Sequence, residues 1–164
     1  MHITSSEISD DVPELFRAAM RRLAASVSIV VARGDSGPVG MAATSITSLT
    51  MDPPALLVCV NRATALHALL VPGAPLSVNL LSSHQHEVSA AFGGGLPWQE
   101  RFGVGSWQPG ANGLPLLAEA QAHLGCAIDV MLAYGTHSIV IARVLDVTVS
   151  EDVAPLIYQD GSYL

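Results

Sequence analysis

The sequence contains no lysine, and its seven arginines face fourteen aspartates and glutamates, giving a formal net charge of -7. Affinity for a nucleic-acid backbone rests on clustered cations, so this balance argues against general nucleic-acid binding. Cysteine is scarce too. Cys59 and Cys126 each sit inside an apolar run, with no CxxC spacing and no adjacent histidine, which suits two reduced, buried thiols. No His, Asp and Glu set has metal-ligand spacing, so no metal is expected. GxSxG, a cysteine beside a base, and GxGxxG are all missing, which speaks against a hydrolytic triad and a Rossmann-type nucleotide site. No apolar run approaches the roughly 18–20 residues of a membrane helix. Met1–Glu7 lacks the basic and apolar regions of a signal peptide, so a cytoplasmic protein is expected.

What is present is apolar. Half of the 164 residues are hydrophobic, 13% are charged, and the mean hydropathy is +0.45. That length suits one domain, read as residues 12–164 behind a flexible tail of residues 1–11. Such a composition calls for a sheet buried on both faces or a sizeable subunit interface.

The pattern along the chain is mostly strand. A helix is expected from Val12 to Ala24, with Asp11 as cap, Pro13 in its first turn, and Leu15, Phe16, Ala19, Met20 and Leu23 at helical spacing. Strands follow at Val27–Ala32, at Val39–Ala43 with Ser45–Leu49 (readable as one long strand with a bend), at Ala55–Val60 and at Leu76–Leu81. Short helices are expected at Thr64–Leu70 and His84–Phe92, and a long loop from Gly93 to Gly113. From Ala120 to Tyr134 the even positions are apolar, a strand with one buried face; Ser138–Val149 returns, and Asp160-Gly161 signals a closing hairpin. Some seven strands with few helices between them favour an antiparallel, closed or partly closed barrel.

Several segments have chemical potential. Gly40–Ser48 packs small and hydroxylated residues into a strand, which would let a flat ligand approach the backbone, although an ordinary strand with a Thr/Ser solvent face reads the same way. Asn61-Arg62-Ala63-Thr64 combines a cap, a cation and a helix start, a combination that suits phosphate as well as a plain capped helix. Arg33 and Arg101 are further loop cations, the latter beside Phe102. His137 opens a strand after the Gly135-Thr136 turn, a position open to a ligand or simply to solvent. His84 and His86 read as surface residues, and His67 and His123 have no identifiable partners.

In order and spacing these pieces resemble the flavin reductase-like family, the antiparallel Greek-key FMN-binding split barrel. The resemblance runs from about Phe16 to Tyr163. It is strongest in GMAATSITSLTMDPPALLVCVNR, residues 40–62, and continues in Ser77–Leu81, Arg101-Phe102, Gly113–Leu117, Gly135-Thr136-His137 and Pro155–Tyr158. It implies that Ala42, Ala43, Thr44 and Ser45 line the flavin, and that Asn61, Arg62 and Thr64 lie near its phosphate. Val78, Asn79 and Leu80 would follow the ring edge, Arg101 and Phe102 would close over the ribityl side, and His137 would stand where the nicotinamide docks. Ala42, Ala65 and Thr136 depart from the usual Thr, Ser or Thr, and Asp.

The implied activity is hydride transfer from C4 of NADH or NADPH to N5 of FMN or FAD, with reduced flavin passing to a partner monooxygenase. The implied assembly is a homodimer. A module that stores flavin, senses it or relays its electrons would keep the same fold without turnover, and a flavoenzyme acting directly on an organic substrate is a third possibility. The scarcity of cations leans towards NADH, because a 2′-phosphate needs one.

Overall fold

A computed structural model describes Ser9 and residues 11–164, so the expected tail and His2 lie, apart from Ser9 and Asp11, outside the described residues. Helix α1 (Val12–Met20) is followed by strands β1 (Ala25–Ser26), β2 (Ser28–Gly34), β3 (Gly37–Ala43), β4 (Ile46–Met51) and β5 (Pro54–Asn61). A 3-10 turn at His67–Leu69 leads to β6 (Pro75–Leu80), and helix α2 (His86–Ala90) runs into a wide turn at Ala91–Gly95. Beyond a second 3-10 turn (Arg101–Gly103) come β7 (Trp107–Pro109), β8 (Pro115–Leu117), β9 (Ala122–Tyr134) and β10 (His137–Val149). The hairpin of β11 (Ile157–Gln159) and β12 (Ser162–Tyr163) closes the chain and pairs with β1.

Seven strands form one antiparallel sheet in the order β3-β2-β6-β9-β10-β5-β4. Strands β3 and β4 are consecutive in the chain yet occupy opposite edges, with only Thr44 and Ser45 between them. Three Cα steps of about 3.8 Å span at most about 11 Å, so the sheet has to curl until its edges nearly meet. The result is a mainly β, antiparallel barrel split between β3 and β4. The expected single bent strand over residues 39–49 is therefore two strands, because the bend carries the chain across the split.

Both faces of β2 are buried, which explains its unbroken apolar run. Val30 and Ala32 join the barrel interior with Val58, Val78, Ile128 and Val140, while Ile29 and Val31 face a second core with Phe92, Leu114 and Leu156. On β9, Ala122, Cys126 and Ile128 are buried, with Leu124 half-buried. A register shift at Asp129 then interrupts the ladder, and Val130, Leu132 and Tyr134 are exposed.

Three local expectations need correction. Helix α1 stops at Met20, a turn before Ala24, because Arg21 and Arg22 turn the chain and Arg21 Nε pairs with Asp160 at 2.8 Å. The 64–70 helix shrinks to one 3-10 turn, since Thr64 Oγ1 donates to the Asn61 carbonyl and accepts the His67 N–H. The 93–113 loop is not structureless: β7 pairs with β8, and Phe92, Phe102 and Trp107 pack ring against ring with centroids 4.9–5.3 Å apart.

Candidate active site

The small-residue segment ends β3, crosses the split and begins β4. Ser45 is fastened to β5 twice: its carbonyl accepts the Cys59 N–H at 3.1 Å, and its Oγ donates to the Cys59 carbonyl at 3.0 Å. Ala42, Ala43 and Thr44 form one side of an open concavity of about 250 Å³, completed by Ser89, Tyr158 and Tyr163. Gly40 explains how close the backbone comes to its neighbours. A Cβ there would lie 2.6 Å from the Phe92 ring, a contact that no larger residue can make.

Two residues beyond Cys59, β5 ends at Asn61 beside the start of β10. His137 is the register partner of Asn61, and Ser138 that of Val60. The Asn61 Oδ1 accepts the Ala63 N–H at 2.9 Å, so the chain turns sharply and presents Arg62 outward. The Arg62 N–H donates to the Thr136 carbonyl at 2.9 Å, and its guanidinium makes only a long 3.4 Å contact with the Gly135 carbonyl. Asn61, Arg62, His67, Gly135 and Thr136 line a second concavity of about 660 Å³. His137 follows directly and is exposed, with Nδ1 2.8 Å from Thr136 Oγ1. Thr44 lines the first concavity, and Ser45 is fastened to Cys59, two residues before the Asn61 that lines the second.

Val78, Asn79, Leu80, Arg101 and Phe102 line neither concavity. Val78 and Asn79 are completely buried, because β6 is a central strand between β2 and β9. The Asn79 amide is used within the fold: Nδ2 donates to the Ile29 carbonyl at 3.3 Å and Oδ1 accepts the Leu117 N–H at 2.9 Å. Leu80, with Val78, lines a separate apolar groove of about 320 Å³ together with Ile46, Met51 and Leu56. Arg101 donates to the Leu96 carbonyl at 3.1 Å and to the Gly40 carbonyl at 2.9 Å, and burial lowers its pKa. Phe102 belongs to the aromatic cluster. Arg33, the third loop cation, donates to the Gly113 carbonyl at 2.9 Å.

The sequence matches the family described as flavin reductase like domain over residues 20–164. The chain belongs to this family. Among curated relatives of this flavin reductase-like chain, the reductase component of an FADH(2)-dependent resorcinol hydroxylase from Rhizobium sp. is 40% identical over 94% of the chain and 87% of that protein. The FMN reductase (NADH) RutF of Stutzerimonas stutzeri is 39% identical over 98% and 92%. Among solved structures, BorF, the flavin reductase component of a bacterial two-component tryptophan halogenase, superposes with a TM-score of 0.84 at 31% identity, covering 93% of this chain and 96% of BorF. The NADH:FAD oxidoreductase SgcE6 of Streptomyces globisporus, solved with NAD and FAD fragments, gives a TM-score of 0.86 at 27% identity over 96% and 94%.

The donor set of this flavin reductase-like chain suits a flavin. Ala42, Ala43 and Thr44 bring little side chain to one concavity, and the exposed Arg62 lines the other; accessible backbone and a guanidinium are donors of the kinds that a ring edge and a phosphate take. Among the described residues no cluster of His, Cys, Asp and Glu could hold a metal ion, and no helix is long and apolar enough to cross a membrane. Both cysteines are free, Cys126 buried with its thiol pushed up to about 12 by desolvation, and Cys59 half-buried. Two histidines without expected partners have them. His123 Nε2 lies 2.6 Å from the Leu117 carbonyl, and His67 Nε2 lies 2.9 Å from Ser138 Oγ. The 71 residues between His67 and Ser138 leave that pair without a local signal in the sequence.

Proposed function

We propose that the chain catalyses NADH-dependent reduction of a free flavin, FMN or FAD, and delivers the reduced flavin to a monooxygenase partner. The observation that carries this reading is that Asn61, Arg62 and His137 come together at the β5–β10 end of the barrel, two residues beyond the Cys59 that fastens Ser45. Here Arg62 binds the flavin phosphate. Thr44 and Ser45 offer their backbone and hydroxyls to the ring edge, and Asn61 and Thr64 hold the turn that aims Arg62. His137 orients the nicotinamide against the flavin. When bound, the two cofactors supply the hydride donor and acceptor themselves, so the protein contributes distance and orientation. An open site with few direct donors agrees with a flavin that arrives, is reduced and leaves.

A second copy completes the assembly. None of the α1 residues is buried, and Phe16, at 62% exposure, and Leu15 are presented to solvent together with Leu132, Tyr134 and Leu145. That much apolar surface suits a homodimer.

Anaerobic oxidation of NADH and NADPH by purified protein, with FMN, FAD or riboflavin added, tests the activity. Many turnovers per protein, faster with NADH, are expected. Tight flavin retention without nicotinamide oxidation would replace the reductase by a flavin-holding module. His137→Ala should raise KM for NADH more than KM for flavin, and unchanged nicotinamide kinetics would remove His137 from the site.

A further inference from the structure

We infer that His67 is a positioning residue that fixes the start of β10, and with it His137, by bonding Ser138 from inside the barrel wall. The inference rests on the reading of His137 as the residue that orients the nicotinamide. Ser138 is 3% exposed and directly follows His137, and the His67 ring meets its Oγ at 2.9 Å. Successive strand residues point to opposite faces, so holding Ser138 inward sets the direction in which His137 leaves the sheet.

His67 is itself anchored. Its N–H donates to Thr64 Oγ1 at 3.2 Å, and that hydroxyl donates to the Asn61 carbonyl at 2.8 Å. Arg62 grips the Gly135–Thr136 turn from the other side through its backbone N–H. Beyond the β5–β10 ladder, the turn that carries the phosphate-binding candidates and the hairpin that carries His137 are therefore joined by the Arg62 N–H, the long Arg62 guanidinium contact and the His67–Ser138 pair. Of these, His67–Ser138 is the clamp made by two side chains, and it lies against the concavity that Asn61 and Arg62 line. A half-buried histidine of this kind need not touch substrate to matter. It acts through the strand.

The test compares His67→Ala, His67→Gln, Ser138→Ala and the combined His67→Ala/Ser138→Ala protein, by steady-state kinetics and by the NMR cross-peak of the His137 imidazole. Loss of one hydrogen bond that holds geometry should raise KM for NADH by about 3- to 10-fold while KM for flavin and kcat change less than about twofold. The two alanine variants should shift the His137 cross-peak alike, the combined protein should add nothing further, and His67→Gln, which keeps a donor, should restore most of the wild-type value. Lower thermal stability with unchanged KM and an unmoved cross-peak would overturn the inference in favour of a purely structural bond. A large effect of His67→Ala with none from Ser138→Ala would overturn it in favour of direct contact with a ligand. If the wild-type protein oxidises no nicotinamide, the functional reading fails, and the His137 cross-peak still decides whether His67 places that ring.

Discussion

The β5–β10 end of the barrel and the layer of residues 92–117 on its flank, with the strand residues that bond into that layer, use the same residue types in opposite ways. Arg62 is exposed, with one long contact to a carbonyl, whereas Arg101 gives Nε and a terminal nitrogen to two carbonyls and loses basicity to burial. Asn61 accepts a single turn N–H, whereas Asn79 joins β2 to β8 through both ends of its amide. His137 is exposed, and His123 is tied to the Leu117 carbonyl. Residue type therefore does not identify a binding group. What matters is whether its donors remain available after the backbone has been satisfied.

The flank should be most costly to disturb at its aromatic cluster. Phe92 is fully buried against Phe102 and Trp107, so Phe92→Ala should cost about 3–5 kcal/mol in chemical denaturation, the usual range for emptying such a site. A loss under 1 kcal/mol would mean that the flank is not a core.

The paired arginines sharpen the comparison. Arg101→Ala leaves the Gly40 and Leu96 carbonyls without their donor and should lower stability by about 1–3 kcal/mol, with FMN and riboflavin affected equally. Arg62→Ala should leave the melting temperature nearly unchanged and raise KM for FMN about tenfold, with little change for riboflavin, which has no phosphate. Equal effects of Arg62→Ala on both flavins would end its phosphate role.

The smallest effect concerns the thiols. Desolvation raises the Cys126 pKa from 9.0 to about 12, so the folded state favours the neutral form. Its contribution to stability is fully present below the ordinary thiol range and is lost as pH climbs towards that raised value. Alkylation of native protein at mildly alkaline pH should spare Cys126 and modify it only after unfolding. Rapid native labelling at Cys126 would show that the barrel interior opens.

Much of the fold was readable from the sequence. The Asp160-Gly161 turn has both residues at positive φ (51° and 87°), as its hairpin signal requires, and the apolar run of β2 is buried on both faces. Other features lack a local signature. Nothing in the periodicity around Thr44 says that the two strands it joins sit at opposite edges, because edge position is a property of the whole sheet. The pairing of β7 with β8 includes Pro109 opposite Pro115, residues that ordinarily argue against a strand. At the site, the grouping of Ala42–Thr44 and of Asn61–Arg62 follows the order of the motifs. The hydrogen bonds that engage Asn79 and Arg101 have no local signature, because their partners lie 38–61 residues away. The His67–Ser138 bond escaped notice for the same reason.

The two-residue crossing between β3 and β4 also has a consequence for how the chain acquires its shape. The hairpins β2–β3, β4–β5 and β9–β10 can each form from neighbouring sequence, but β6 must find β2 and β9 across long stretches, as in Val30↔Val78 and Val78↔Leu124. Such a high contact order belongs to chains that fold in milliseconds to seconds, not microseconds. Within that slow search Thr44–Ser45 acts as a short tether. Once β3 is in place on β2, β4 can diffuse only within about 11 Å, which rules out most mispaired sheets before β10 arrives. Lengthening the tether with a few glycines would leave every native contact possible and should slow the final closure of the barrel.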